Sequence, residues 1–271
     1  MRFGEVFPPA RFGMCKTAHG RRILYFRAML TLQELGLEPG FVLHSQMTPC
    51  ERFALSGLLE RLKPTVALEI GTYKGGSLQF LARNSEAVIS LDIDPGIPTR
   101  LAGKFPNVEF RSGDSHQLLS DLVREMNEQK RPLGFVLVDG DHSTEGVKQD
   151  IEQLLNLQPQ REIVILLHDS FNPACREGMR RANWASCPFV HQVDLDFIPG
   201  IYHYEAHDTA APRTMWGGFA CALLAPEKRI APLIVQESQQ PLYEAVKSVS
   251  THVRQNLWGR LRRGIETLLR Q

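Results

Sequence analysis

Through the middle of the chain, short apolar runs alternate with segments whose apolar residues recur at helical spacing. The runs at 66–70, 87–91, 107–111, 134–138 and 162–167 have the length and composition of buried strands. Helices fit between them at 75–84, 115–129 and 145–157, and in the last of these Val147, Ile151, Leu154 and Leu155 share one face. This alternation predicts a parallel sheet covered on both sides. Upstream, Thr48-Pro49-Cys50-Glu51 reads as a helix start, with Thr48 as N-cap, Pro49 in the first turn and Glu51 closing a capping box. Leu55, Leu58, Leu59 and Leu62 would form that helix's buried stripe. A further helix is expected from Arg22 to Leu35, closed by Gly36. After Phe189 the pattern changes. Strand-like runs at 189–194 and 217–224 flank a loop rich in His, Tyr and Pro, and a basic amphipathic helix or helix pair occupies 241–270. The expected architecture is α/β: a doubly wound sheet of seven mostly parallel strands, helices on both faces, and helical N- and C-terminal extensions. The expected division is 1–45, 46–226 and 227–271.

Composition fits one soluble core. The 271 residues are 43% hydrophobic and 23% charged, which suffices for a single large interior. The net charge of +1 implies no bulk attraction to nucleic acid. Cys15, Cys50, Cys175, Cys187 and Cys221 are odd in number and in no metal-binding spacing, so reduced thiols and a cytoplasmic location are expected. The start lacks a signal-peptide apolar region, and no apolar run reaches the length of a membrane span.

The densest chemistry lies at Val66-Ala67-Leu68-Glu69-Ile70-Gly71-Thr72-Tyr73-Lys74-Gly75-Gly76-Ser77. A buried strand carrying an acid runs into a glycine-rich turn that opens a helix. Glycine lets the backbone turn tightly and a ligand approach closely, and a helix start offers free N–H groups. The next strand ends at Asp92, where an acid reaches ribose hydroxyls in nucleotide-binding α/β folds. The ligand implied contains a nucleoside. It is not a dinucleotide of the usual kind, because G-x-G-x-x-G is absent and Glu69 beside the turn suits a cationic ligand better than a pyrophosphate.

Two further strands run into acids: Phe135 to Val138 into Asp139-Gly140-Asp141-His142-Ser143, and Ile163 to Leu167 into His168-Asp169-Ser170. Open α/β sheets bind ligands at the carboxyl ends of their strands. If these strands are neighbours, about 4.8 Å apart, Asp139 and Asp169 could chelate one cation. Like charges so close are costly unless a cation or a proton intervenes.

The E-x-G-x-x-x-G form of the first motif, Glu69 to Gly75, resembles the Rossmann-like class I S-adenosylmethionine-dependent methyltransferases. The downstream clusters, with Glu145-Gly146-Val147 and Asp150, sharpen this. Over roughly 44–225 the chain resembles the bacterial group related to macrocin-type sugar O-methyltransferases, akin to the metal-dependent catechol-type enzymes. The resemblance implies that Glu69, Gly71, Thr72, Gly75 and Ser77 form the cofactor turn, that Asp92 holds the ribose, and that Asp114 and Ser115 meet the adenine. It implies a divalent metal at Asp139 and Asp169, with Asp139 also beside the cofactor, and His142 as general base, with Asp141 the next candidate. Two departures stand out. Ser170 replaces the amide ligand that follows the second acid in catechol-type enzymes, and His168 replaces an acid that precedes it in some sugar enzymes. An all-oxygen site would favour Mg²⁺, and a ligating His168 would move the preference toward Mn²⁺ or Fe²⁺.

The expected activity is transfer of a methyl group to a hydroxyl of a small molecule, a sugar or natural product first and a phenol second. Two other readings stand beside it: a nucleotide-binding oxidoreductase or hydroxylase on the same sheet, and a non-catalytic scaffold. Nucleic acid is not an expected partner, since no Asn-Pro-Pro-Tyr-like segment follows the fourth strand. The 197–207 segment is positioned as a lid over the acceptor. The basic residues of 254–270 would dock on the core or on a sister subunit in a homo-oligomer, or lie on a membrane surface.

Overall fold

The computed structural model describes residues 43–203 and 214–250, together with the backbone of 13–16 and 22–25. The chain divides into two units, Met1–Val42 and Leu43–Gln271. In the first, β1 (Gly13–Lys16) pairs antiparallel with β2 (Arg22–Tyr25), Gly13 opposite Tyr25 and Lys16 opposite Arg22. The helix expected to start at Arg22 is therefore a strand over its first four residues. The run Ile23-Leu24-Tyr25 finds a cross-strand partner, and such pairing overrides a weak helical period. The rest of that expected helix, 26–35, lies outside the described residues, as do 204–207 of the expected lid and 251–270 of the expected C-terminal helix.

The second unit opens with α1 (Pro49–Leu62), whose capping box is formed: the Thr48 hydroxyl accepts from the Glu51 N–H, and the Glu51 carboxylate accepts from the Thr48 N–H. Leu55 and Leu59 are buried, while Leu58 and Leu62 are half-buried. Strands and helices then alternate: β3 (Val66–Ile70), α2 (Leu78–Asn84), β4 (Ala87–Asp92), α3 (Ile97–Arg100), β5 (Val108–Ser112), α4 (Ser115–Glu128), β6 (Leu133–Val138), α5 (Thr144–Leu154), β7 (Ile163–His168) and α6 (Pro173–Arg181). The chain continues through β8 (Val190–Ile198), β9 (Ile201–His203), β10 (Thr214–Trp216), β11 (Phe219–Leu224), β12 (Val235–Gln236) and α7 (Gln240–Val249). β9 and β10 pair as a separate antiparallel ribbon.

The large sheet has the order β12-β8-β11-β7-β6-β3-β4-β5. All its pairings are parallel except the two that β11 makes with β7 and β8. The sheet thus has eight strands rather than the expected seven. The added one, β12, is two residues long and pairs parallel to β8 at the edge, too short to leave a periodic signal. Strands β3, β6 and β7 are buried along nearly their whole length, as a sheet covered on both faces requires.

Arg176 on α6 is fully buried and ties the C-terminal segment to this core. Its guanidinium donates to the Ser170 and Leu195 carbonyls, pairs with Asp196 at 2.9 Å and Glu237 at 3.0 Å, and lies 4.4 Å from the centre of the Tyr243 ring. Tyr243 packs with Phe171 and Met215. No helix among the described residues is long and apolar enough to cross a membrane.

Candidate functional site

The carboxyl ends of β3, β4, β6 and β7 open onto one cavity of about 620 Å³, a size suited to a small-molecule ligand. Its wall runs from the Gly71–Ser77 turn and Asp92 to Asp139, His142, His168 and Asp169, and is completed by 44–48, Glu51, Ile201, His203, Trp216 and Gly217.

The glycine-rich turn is fixed by its own backbone requirements. Gly71 has φ +93, and a Cβ there would overlap the Asp139 carbonyl. Glycine is needed at this position on both counts. The turn hangs on Asp92, whose Oδ2 accepts from the N–H groups of Thr72 (2.9 Å) and Tyr73 (2.8 Å) and whose Oδ1 accepts from Asp94 (2.8 Å). A carboxylate has about four acceptor positions, so one remains for a ligand hydroxyl. Thr72, Ser77 and Asp92 line the cavity, whereas Gly75 lies just outside it against the side chains of Leu43 and Leu101.

Glu69 is not in the wall. It is fully buried behind it, accepting from the Ser77 hydroxyl at 2.6 Å and the Ser90 hydroxyl at 2.7 Å. Burial pushes its carboxyl up to about 7, the two serines pull it back only in part, and the charges of Asp139 and Asp92 add to the rise. Glu69 reaches the wall through Ser77 and, by way of Ser90, through Thr72.

Asp114 and Ser115 follow β5 and are not themselves among the lining residues. Asp114 caps α4 by accepting from the His116 N–H, and Ser115 donates to Asp150 at 2.9 Å. Asp150 is fully buried, and burial raises its carboxyl to about 6. Asp141 also serves its own helix start, accepting from the Ser143 N–H (2.7 Å) and hydroxyl (3.0 Å).

At the other end of the cavity the two strand-end clusters meet, because β6 and β7 are adjacent and parallel. Asp139, His168 and Asp169 each offer a ligand atom, and the three atoms lie within 4.8 Å of one another. His168 Nδ1 is 3.0 Å from Asp139 Oδ1 and 3.7 Å from Asp169 Oδ2. His142 Nε2 is 3.0 Å from Asp169 Oδ2 and 3.5 Å from Asp139 Oδ1. Asp169 holds a left-handed backbone, φ +58, and its Oδ1 accepts from the Gly217 N–H at 2.6 Å. Trp216 meets the His142 ring edge-on at 5.9 Å.

These contacts set the charges. Hydrogen bonds to Asp139 and Asp169 push His142 up to about 10. Burial opposes charge on His168, yet Asp139, Glu51 and Asp169 hold it well above the ordinary imidazole value. Burial would raise Asp139, but the two imidazoles keep it below the usual carboxylate range. His142 is therefore an imidazolium between two carboxylates, not the neutral ring that an unperturbed value near 6.5 would give. Facing carboxylates explain the difference: Asp139 is local to His142, and the adjacency of β6 and β7 brings Asp169.

Sequence reasoning placed Glu51 in a helix cap and missed its second role. The side chain is 1% exposed, its Oε1 accepts from the Gly218 N–H and faces His168 Nε2 at 3.5 Å. A capping glutamate carries no signal in sequence that it also reaches a strand end 117 residues later, from position 51 to position 168.

Residues 68–170 match a family model described as a methyltransferase domain. No protein of curated function is similar in sequence. Among solved structures, the chain is similar to the O-methyltransferase from Bacillus cereus in complex with S-adenosylhomocysteine, at 21% identity over 66% of this chain and 82% of that one, TM-score 0.48. It is also similar to TomG, an O-methyltransferase from Streptomyces achromogenes involved in tomaymycin synthesis, at 19% identity over 64% and 78%, TM-score 0.45.

Proposed function

We propose that this chain, whose residues 68–170 match a methyltransferase-domain model, uses S-adenosylmethionine to methylate a hydroxyl of a small-molecule acceptor at the cluster of Asp139, His142, His168 and Asp169. The observation that carries the reading is the cavity itself, with a nucleoside-type turn at one end and a charged acid–histidine cluster at the other.

S-adenosylmethionine supplies a methyl group already activated by its sulfonium. The protein's task is to hold the acceptor oxygen in line and remove its proton. Gly71, Thr72 and Ser77 would bind the amino-acid end of the cofactor, with Glu69 acting through Ser77, and Asp92 would take the ribose. Asp114 and Ser115, just past the end of β5, would meet the adenine. Fixing both reactants can supply about 7–11 kcal/mol in favourable cases.

The donor set at the cluster fits a divalent cation. Two carboxylate oxygens and an imidazole nitrogen converge there, and the buried His168 Nε2 makes no hydrogen bond, with the Glu51 carboxylate 3.5 Å away. One nitrogen among oxygens suits Mn²⁺ or Fe²⁺ at least as well as Mg²⁺. Bound at Asp139, His168 and Asp169, such an ion would lower the pKa of an acceptor hydroxyl. His142 lies beside that position with Trp216 against its ring, placed to receive the proton once the charge of the two carboxylates is offset. Asp141 is the reserve base, one residue away.

Calorimetry with S-adenosylhomocysteine and with NAD tests the cofactor, and methyl transfer to a panel of sugars and phenols tests the acceptor. Micromolar binding of S-adenosylhomocysteine, and turnover that EDTA abolishes and Mg²⁺ or Mn²⁺ restores, are the expected results. Tight NAD binding with no response to S-adenosylhomocysteine would overturn the reading. Full turnover by metal-stripped enzyme would remove the metal and leave the acids as direct acceptor-binding groups.

A further inference from the structure

We infer that Glu51 is a positioning residue for the acid–histidine cluster: its carboxylate takes the Nε2–H of His168 and so turns Nδ1 toward Asp139 and Asp169. The inference rests on the proposed reading of that cluster as the methyl-transfer centre.

A cap needs one carboxylate oxygen, and Glu51 uses Oε2 for it, accepting from the Thr48 N–H at 2.5 Å. Its other oxygen does something a cap does not require. Oε1 accepts from the Gly218 N–H, at the start of β11, and faces His168 Nε2 at 3.5 Å. The side chain is 1% exposed, and it accepts from one backbone donor at its own helix start and one from just before β11. A Cβ on Gly217 would overlap the same carboxylate, so glycine at that position leaves the space Glu51 occupies.

The His168 ring has a carboxylate facing each end, the one at Nε2 standing 3.5 Å away without a formed hydrogen bond. On one side is Glu51. On the other, Nδ1 lies 3.0 Å from Asp139 Oδ1 and 3.7 Å from Asp169 Oδ2. Phe219 packs against the ring with centroids 5.3 Å apart. With Nε2–H directed to Glu51, the Nδ1 position joins two carboxylate oxygens at one point. Three acceptors aimed at one point require a proton or a metal ion there. A carboxylate on the far nitrogen of a ligating histidine is the usual way to fix which nitrogen ligates and how the ring points. Without Glu51 the ring could turn over in its slot, replacing Nδ1 by a carbon at the cluster. Helix α1 would then contribute to the chemistry without touching either reactant.

The test uses the full-length protein saturated with S-adenosylhomocysteine and two readouts. The first is the ring N–H signal of His168 in ¹⁵N-histidine NMR, recorded without metal. The second is Mn²⁺ affinity by electron paramagnetic resonance. Wild type should show a slowly exchanging Nε2–H. Glu51→Gln, which keeps the volume and one acceptor oxygen, should lose or strongly shift that signal and weaken Mn²⁺ by about 10–100-fold, with S-adenosylhomocysteine affinity within about twofold by the same argument. Thr48→Ala removes the cap hydroxyl but leaves both Glu51 oxygens, so it should leave the His168 signal in place. An unchanged His168 signal in Glu51→Gln, or a Thr48→Ala protein that loses it equally, overturns the positioning role. A wild-type spectrum lacking a protected Nε2–H overturns it without any variant. If wild type binds no Mn²⁺, the metal reading fails by itself, and the NMR comparison still decides on Glu51.

Discussion

Glu69→Gln should make the protein more stable and bind its cofactor less well. The carboxylate is fully buried, held by the hydroxyls of Ser77 and Ser90, and burial raises it from 4.5 to about 7. A carboxyl raised on folding binds its proton more tightly in the native state than in the unfolded one. Stability is therefore unaffected below about pH 4.5, falls as pH rises from 4.5 to 7, and stays reduced above. The difference, 7 − 4.5 = 2.5, at about 1.4 kcal/mol for each pH unit, amounts to about 3 kcal/mol. Glutamine keeps one acceptor oxygen, and its NH₂ can donate to a serine hydroxyl that rotates to accept. Weaker hydrogen bonds to a neutral partner return about 1 kcal/mol of this. At pH 8.5 the variant should be more stable than wild type by about 2 kcal/mol, and at pH 4.5 the two should coincide or wild type should lead. Urea unfolding at a series of pH values measures this. A cationic ligand group beside Ser77 favours the ionised carboxylate, so wild type should release a proton on binding S-adenosylhomocysteine near pH 7. That release appears as a binding enthalpy that depends on the buffer's ionisation heat. Glu69→Gln should release none and bind about tenfold more weakly, a loss of about 1.4 kcal/mol. Equal urea midpoints for the two proteins at pH 8.5, with parallel pH profiles, would refute the assignment of Glu69 as a strained buried acid.

Two further outcomes follow from the geometry. Gly71→Ala sets a Cβ against the Asp139 carbonyl at φ +93 and should cost about 1–2 kcal/mol in backbone strain and about 1–3 more in displaced packing. A thermal midpoint unchanged within error would count against this. His142→Ala should lower kcat by about 10²–10⁴-fold while leaving S-adenosylhomocysteine affinity nearly intact, and a near-normal kcat would pass the base role to Asp141.

The parallel core was legible because β4, β6 and β7 are short, mostly apolar runs that end at or just before a polar residue, and β3 is one that runs into a glycine turn. The run 66–70 coincides with β3, and β4, β5, β6 and β7 differ from the expected strands by one residue at one or both ends, whereas β8 runs on to Ile198, four residues past the expected 189–194, and β11 starts two residues after the expected 217. The capping box at Thr48 and Glu51 was equally plain, since cap chemistry is local. α6 was missed although Asn172 and Pro173 mark its start, because its buried face includes Arg176 where the apolar period calls for a hydrophobic residue. β12 has only two residues and no pattern to read. In the site, Asp139, His142, His168 and Asp169 could be named because strand ends attract attention. Their charges could not, because they depend on which strands lie side by side. Glu69 was read as a contact and stands one layer back, since alternation along a strand does not tell whether the turn beyond it screens a side chain.

Arg176 bears on where this protein can be cut. The fragment 46–226 looks like a self-sufficient catalytic unit in sequence, ending just past the last long strand. It would lack Glu237 and Tyr243, and with them one of the two carboxylates and the aromatic face that enclose the guanidinium. Leaving a buried charge short of its partners costs about 3–5 kcal/mol, a large share of a typical domain's stability. That same guanidinium donates to the Ser170 carbonyl, directly after Asp169. Trimming the C-terminus would thus weaken the floor beneath the acid–histidine cluster, so the smallest piece that keeps the cluster in place runs on through α7.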